Sequence, residues 1–274
     1  MKISIVTISF NQCRFLKRCM DSVLTQRSDL EKNGVDLEYI VVDPGSTDGS
    51  RELIESYGNQ VIKVFEKDDG PADGLNKGFS VATGDVYGYL NSDDVLTVGA
   101  LEYVADYFGS KSEVTDILSG ASNLIGPDDE YYRVLYSDRF NLMAFAYMEC
   151  ILIQPSSFFT KSIFMKTNGF NVSNRTNWDG ELFVDMAIAG GTFNVVSRVL
   201  SGYRVHDESI TGSMSTVNDM DLYRVRMFEK ITGRSVSTRS DLIAFYYKYA
   251  RKVWNYKDTI QRILGGRSFG RALK

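Results

Sequence analysis

The 274-residue sequence predicts an α/β fold in which a mainly parallel sheet is flanked by helices and followed by a helical extension. Three observations carry that expectation. Short apolar runs alternate with segments of helical periodicity through the first half of the chain, the βαβα order that a parallel sheet requires. The first run, residues 3–8, is apolar almost throughout, as in a strand covered on both faces. Acidic turns follow the runs at 39–42 and 86–90, and the carboxyl ends of parallel strands are where such sheets bind ligands.

Taken in order, 3–8 is the first strand, and Phe15/Leu16, Cys19/Met20 and Val23/Leu24 then recur at helical spacing. Residues 39–42 and 61–65 predict the second and third strands, 51–57 and 72–81 helices, 86–90 the next strand and 97–108 a helix. The middle is less regular: 116–119, 156–160 and 192–196 read as strands, 126–129 as a turn and 180–189 as a helix. Residues 217–231 and 241–264 read as helical, with the boundary between body and tail at 213–217. The expected units are therefore 1–214, a catalytic body, and 215–274, a basic, aromatic helical extension.

A hydrophobic share of 43% and a charged share of 24% are those of a soluble globular protein. No apolar run reaches transmembrane length and the N-terminus lacks the regions of a signal peptide, so a cytoplasmic protein is expected. Cys13, Cys19 and Cys150 make no zinc-like or redox-like spacing and read as reduced, half-buried side chains. The net charge of −4 conceals an asymmetry, because 215–274 hold thirteen basic against five acidic residues, a balance of +8 that leaves −12 on the body. A segment of that kind suits a polyanion or an anionic membrane as its neighbour.

Chemistry concentrates at two turns. Asn91-Ser92-Asp93-Asp94 puts two carboxylates at the end of the 86–90 strand, where acidic oxygens suit a hard divalent cation that would in turn hold a pyrophosphate; read alone, Asp93 and Asp94 equally suit a helix cap. Residues 43–50, Asp-Pro-Gly-Ser-Thr-Asp-Gly-Ser, form a tight turn opening a helix, a place where backbone can meet a nucleotide. It is neither a Walker A loop nor a GxGxxG fingerprint, which disfavours ATPase and dinucleotide readings.

Together with residues 5–11, with 76–85 and with Gln154 to Phe159, Trp178 to Leu182 and Tyr203 to His206, these turns resemble the inverting family 2 glycosyltransferases of the GT-A (Rossmann-like) fold. The likeness covers roughly residues 3–212 in the right order, and the tail lies outside it. The resemblance implies a nucleotide-diphosphate sugar as donor and a divalent cation, Mn2+ or Mg2+, on its diphosphate. It implies Asp93 as a metal ligand, with Asp94 second to it, and Asn91 toward the ribose in place of the usual Asp. His206, the only histidine, matches the position of a further metal ligand, and neutral imidazole suits manganese-like ions. Asp179 matches the catalytic base, the carboxylate that accepts the acceptor hydroxyl's proton. On the residues alone it could instead cap the helix bearing Leu182, Phe183 and Met186, whose first amides would depress its pKa.

Trp178 stands where the family has an acid, and with Glu181 it is expected at the acceptor, stacking on a sugar ring. Pro44 replaces a residue that can read uracil, which leaves nucleotide contact to Asp43, Phe10, Asp73 and Lys77. Asp73 and Lys77, four apart on a helix, equally suit a surface pair. The expected acceptor is a saccharide or polyprenyl-linked saccharide. Expected partners are an anionic membrane at the inner face of the plasma membrane, met through the tail, and a further copy of the chain; nucleic acid is not among them. In the tail, Tyr246, Tyr247, Tyr249, Trp254 and Tyr256 interleave with Lys248, Arg251, Lys252 and Lys257, a pattern for anionic lipid or for packing on protein. A GT-A-like domain that binds nucleotide or glycan without turnover is the competing reading; Asp93, Asp179 and His206 together argue against it. A nucleotidyltransferase would want a Gly-rich triphosphate loop that 9–14 does not resemble.

Overall fold

A computed structural model describes residues 1–110, 115–207 and 217–264. Among them, nine strands form one sheet: β1 (Lys2–Ile8), β2 (Asp36–Val42), β3 (Ile62–Val64), β4 (Val86–Asn91), β5 (Val95–Leu96), β6 (Ile117–Ile125), β7 (Tyr131–Leu135), β8 (Ser157–Thr160) and β9 (Phe193–Arg204). Their order is β3-β2-β1-β4-β8-β6-β9-β5, with β7 on β6. The first four are parallel neighbours. β8 runs antiparallel between β4 and β6, and β9 is parallel to β6. Parallel pairing of β1, β2 and β4 brings the loops after all three to one edge, which is what builds the site.

The helices are α1 (Cys13–Leu24), α2 (Arg27–Lys32), α3 (Ser50–Ser56), α4 (Pro71–Val81), α5 (Ala100–Gly109), α6 (Leu142–Ala146), α7 (Lys161–Phe164), α8 (Trp178–Ile188), α9 (Val217–Thr232), α10 (Asp241–Trp254) and α11 (Tyr256–Leu264). Side chains alternate across β1: Ile3 and Ile5 meet Leu16, Met20 and Val23 of α1 on one face, while Val6 meets Leu75 and Phe79 of α4 on the other. Both faces being covered explains the unbroken apolar run of the sequence. Gly78 lets α4 sit close, since a Cβ there would come within 2.5 Å of a Val6 methyl.

Several elements depart from the sequence reading. The helix expected from 97 begins at Ala100, because Val95 and Leu96 pair with Ser201 and Gly202 of β9 and Gly99 turns the chain at φ +74°. β5 and β7 and the short helices α2, α6 and α7 carry too few residues for their periods to be read. The helix expected over 241–264 breaks at Asn255, whose side-chain amide is drawn to Asp138 and to the carbonyl of Tyr136. The boundary expected at 213–217 lies, up to 216, outside the described residues. Past it, Tyr223 and Met227 of α9 are buried against Phe145 and Val184, so the extension packs on the body. No helix among the described residues is long and apolar enough to cross a membrane.

Candidate active site

The loops at the carboxyl edge are stitched to one another before any ligand is considered. Asn11 adopts φ +52°, a conformation asparagine tolerates. From there its side-chain oxygen accepts from the Thr47 amide at 2.9 Å and its own amide donates to Ser46 Oγ at 2.9 Å. The Cys13 amide donates to Asp48 Oδ2 at 2.8 Å. Asp43 is fully buried, its Oδ1 accepting from the Gly45 and Ser46 amides, each at 2.8 Å, and paired with Arg51 at 3.3 Å. Asp43 therefore fixes the turn from behind, and Pro44 and Phe10 form the wall in front of it.

These loops border a cavity of about 800 Å³ lined by Phe10, Asn91, Asp93, Asp94, Trp178 and Asp179, among others. The strand ladder explains how chain segments 110 residues apart meet there. β5 pairs with β9 so that Val95 faces Gly202, and continuing the ladder backward sets Asp93 and Asp94 beside Arg204. The Arg204 amide donates to Asp94 Oδ1 at 2.9 Å and its Nε to the Asp93 carbonyl at 2.7 Å. Its Nη1 donates to the Gly126 carbonyl at 2.8 Å and its Nη2 pairs with Asp129 at 2.6 Å. A wholly buried guanidinium thus pins the acidic loop to the β6–β7 turn. Burial, and next the charge of Asp93, push the Asp94 carboxyl well above the usual range, against the pull of Arg204. Asp94 is a buried anchor of this loop, and Asp93 is the carboxylate that reaches the cavity with a second partner.

That partner is His206, whose Nε2 lies 3.0 Å from Asp93 Oδ2. Adjacent ligands ~2.1 Å from one octahedral ion stand about 3 Å apart, so one carboxylate oxygen and one imidazole nitrogen at this separation fit a single hard cation. Among the described residues no cluster of three His, Cys, Asp or Glu side chains forms. Two protein ligands with the remaining positions left to phosphate oxygens and water is how magnesium-like ions are commonly held.

Asp179 stands at the start of α8 on the cavity wall. Burial raises its pKa, and the Gly180 amide and its own pull it down without prevailing. The helix-start amides that could have weakened it as a base are outweighed by desolvation. Trp178, 7% exposed, lines the same wall. Glu181 does not reach the cavity. It is buried, accepting from Asn171 at 3.0 Å, Asn174 at 2.8 Å and Arg226 at 2.7 Å, with Lys230 at 3.4 Å. The expectation of Glu181 at the acceptor is therefore corrected: two residues on from Asp179 and so turned to the other side of the helix, its carboxylate ties α8 to α9.

Asp73 and Lys77 likewise lie off the cavity wall, paired with each other at 3.0 Å. Asp73 accepts from the Asp69 amide and Lys77 donates to the Lys67 carbonyl, so they brace the 67–69 segment. Lys67 and Asp68 are the side chains of that segment that line the cavity, and sequence reasoning passed over them. The signal available was the Lys-Asp-Asp-Gly-Pro run ahead of α4, in which Pro71 opens the helix and Gly70 turns at φ +121°.

A sequence model of the family described as Glycosyl transferase family 2 matches residues 4–163. An uncharacterized glycosyltransferase of Nostoc sp. is 33% identical over 132 residues, 47% of this chain and 39% of that protein. The chondroitin synthase of Pasteurella multocida is 25% identical over 232 residues, 82% of this chain and 22% of the synthase. The chain thus spans well under half the length of these two relatives. Among solved structures, Staphylococcus aureus TarS in complex with UDP-GlcNAc superposes with a TM-score of 0.67 at 15% identity, over 97% of this chain and 75% of that one. The mannosyltransferase PcManGT of Pyrobaculum calidifontis, in complex with GDP-Man and Mn2+, gives 0.61 at 16% identity over 99% and 77%. At such identities the likeness is one of fold, and the fold is GT-A.

Proposed function

The chain belongs to glycosyl transferase family 2, and from that premise we propose that it moves a sugar from a nucleotide-diphosphate sugar to an acceptor hydroxyl with inversion and with the help of a divalent cation. The observation that carries the reading is one cavity lined by both Asp93, paired with His206, and Asp179, a carboxyl whose burial raises its pKa. An inverting displacement needs two such groups, one toward the leaving diphosphate and one toward the attacking hydroxyl. Asp179 takes the acceptor proton as the hydroxyl oxygen bonds to the anomeric carbon and the bond to the diphosphate breaks. A cation held by Asp93 and His206 would neutralise charge on that diphosphate, a contribution of several kcal/mol in metal-assisted reactions.

Phe10, exposed at the cavity mouth, offers its ring to the base, and Asn91 a hydrogen bond to the ribose. Trp178 gives the acceptor sugar an apolar wall. Kinship with a chondroitin synthase supports a place in polysaccharide or glycoconjugate assembly, with a saccharide or polyprenyl-linked acceptor at the inner face of the plasma membrane. Turnover of a panel of UDP- and GDP-sugars, with and without Mn2+, tests the reading. Absence of both transfer and donor hydrolysis across the panel, with nucleotide still bound, would favour a binding subunit instead.

A further inference from the structure

Helices α10 and α11 carry an apolar side that faces solvent in addition to the side that packs on the body. Their inward side combines an apolar contact, Ala244 and Tyr247 against Tyr147 and Phe228, with a polar network: Arg251 Nε pairs with Asp138 Oδ2 at 2.7 Å, Asn255 Nδ2 donates to Asp138 Oδ1 at 2.6 Å, and Asp258 pairs with Arg133 at 3.3 Å. All of Arg133, Asp138, Asn255 and Asp258 are buried. Their outward side is apolar: Leu242 is 83% exposed, Val253 73% and Trp254 51%, with Phe245, Tyr249 and Tyr256 also exposed. A buried polar network fixes the pair to the body and thereby fixes the apolar side away from it. Contiguous apolar surface of this kind marks an interaction site.

The charges on that side select the occupant. Lys248, Lys252 and Lys257 are exposed among the aromatic rings, with the Lys252 ammonium 4.7 Å from the centre of the Tyr249 ring. Of the acidic residues in 241–264, Asp258 is buried in its ion pair, which leaves Asp241 at the outer end. The core of a protein interface is depleted of lysine. At a bilayer surface, by contrast, lysine heads reach the phosphates while their stems cover apolar surface, and Trp and Tyr settle at headgroup level.

We infer that the outward side of α10 and α11 docks on an anionic phospholipid bilayer. The use of such docking, delivery of the cavity to a lipid-linked acceptor, rests on the proposed transferase reading; the docking itself does not. Sedimentation of the full-length protein with vesicles of phosphatidylcholine alone, and of phosphatidylcholine with phosphatidylglycerol, at low salt and without donor or acceptor, therefore tests the docking independently of transfer.

Binding to the phosphatidylglycerol vesicles is expected, weakened at least about thirtyfold in K248E/K252E from loss of the two lysine charges alone and further by the glutamates' repulsion. It should be weakened likewise in V253D, where the apolar side itself is interrupted. Both sites are exposed, so unchanged melting accompanies the loss. Failure of the wild type to sediment with anionic vesicles overturns the inference. So does a concentration-dependent dimer that V253D dissociates, which would give this side to a second copy of the chain.

Discussion

Glu181 and Asp179 are two residues apart on one helix, and the structure assigns them opposite consequences. In Glu181→Ala, Arg226 and Lys230 lose their acceptor, but they are 34% and 30% exposed and regain water. Asn174, buried, does not. An orphaned buried amide costs about 1–3 kcal/mol and each charged hydrogen bond about 1.5–3 kcal/mol before that discount, so a loss near ~3 kcal/mol is expected. At about 2–4 °C per kcal/mol for a chain of this size, melting should fall by about 6–12 °C. Asp179→Asn should do the reverse. Burial raises the folded pKa of Asp179, so its contribution to stability is complete below the unfolded pKa and is lost as pH rises through the folded one. Ionisation of the buried carboxyl is the destabilising step, which Asn cannot undergo, so Asn should leave melting unchanged or slightly higher while transfer drops by about 10²–10⁴ with donor binding retained. Thermal melts and initial rates on the two variants decide it. Normal turnover in Asp179→Asn beside a dead but stable Glu181→Gln would refute the assignment and make Glu181 the base.

Asp93→Ala should abolish cation-dependent donor binding without altering melting, and His206→Ala should weaken it less, both read by nucleotide-sugar calorimetry with Mn2+ and with chelator. Arg204→Met should cost about 2–4 kcal/mol in denaturant unfolding, since the Arg204 amide still donates to Asp94 but the carbonyls of Asp93, Gly126 and Pro127 lose their donor and Asp129 its ion pair; a change under ~1 kcal/mol would mean the clamp is redundant. Phe10→Ala should raise the donor Kd about five- to tenfold, the equivalent of about 1 kcal/mol of ring contact, with melting unchanged. With Asp179 as the proposed base, the acid limb of the wild-type rate profile should lie above the ordinary carboxylate range, because burial raises that carboxyl.

The first four strands, their helices and the two acidic turns were legible because each is a local pattern: an apolar run, a helical repeat, a turn residue at a fixed offset. The residues that brought Asp93, His206 and Asp179 to attention sit at strand ends or helix starts, where such patterns stop. What escaped was set by contacts across the chain. Asp73 and Lys77 read as nucleotide ligands, yet which side of α4 faces the cavity depends on Gly78 seating that helix against Val6. Glu181 read as an acceptor contact because its partners Arg226 and Lys230 lie some fifty residues on. The tail's mixture of aromatic and basic residues was visible, but not which of them face inward, because the anchor at Asp138 lies over a hundred residues before Asn255.

The wall of the cavity itself argues for a cation. Asp68, Asp93, Asp94 and Asp179 line it, and against them stand Lys67 and Arg204. The Arg204 guanidinium is committed to Asp129 and to three backbone carbonyls, so it cannot turn to a phosphate without releasing the loop that carries Asp93. Burial favours the neutral forms of Asp68, Asp94 and Asp179, so the like charge a diphosphate meets centres on the Asp93 carboxylate, with one lysine to offset it, and in a partly desolvated cavity that repulsion is weakly screened. On the proposed reading, a cation held in the two-ligand cradle of Asp93 and His206 would offset that repulsion. On that reading, this charge distribution supports cation dependence by an argument separate from kinship. Nucleoside diphosphate binding of equal strength in Mn2+ and in chelator, at low ionic strength where repulsion is greatest, would show that Lys67 suffices and that the cradle serves only to hold Asp93 in place.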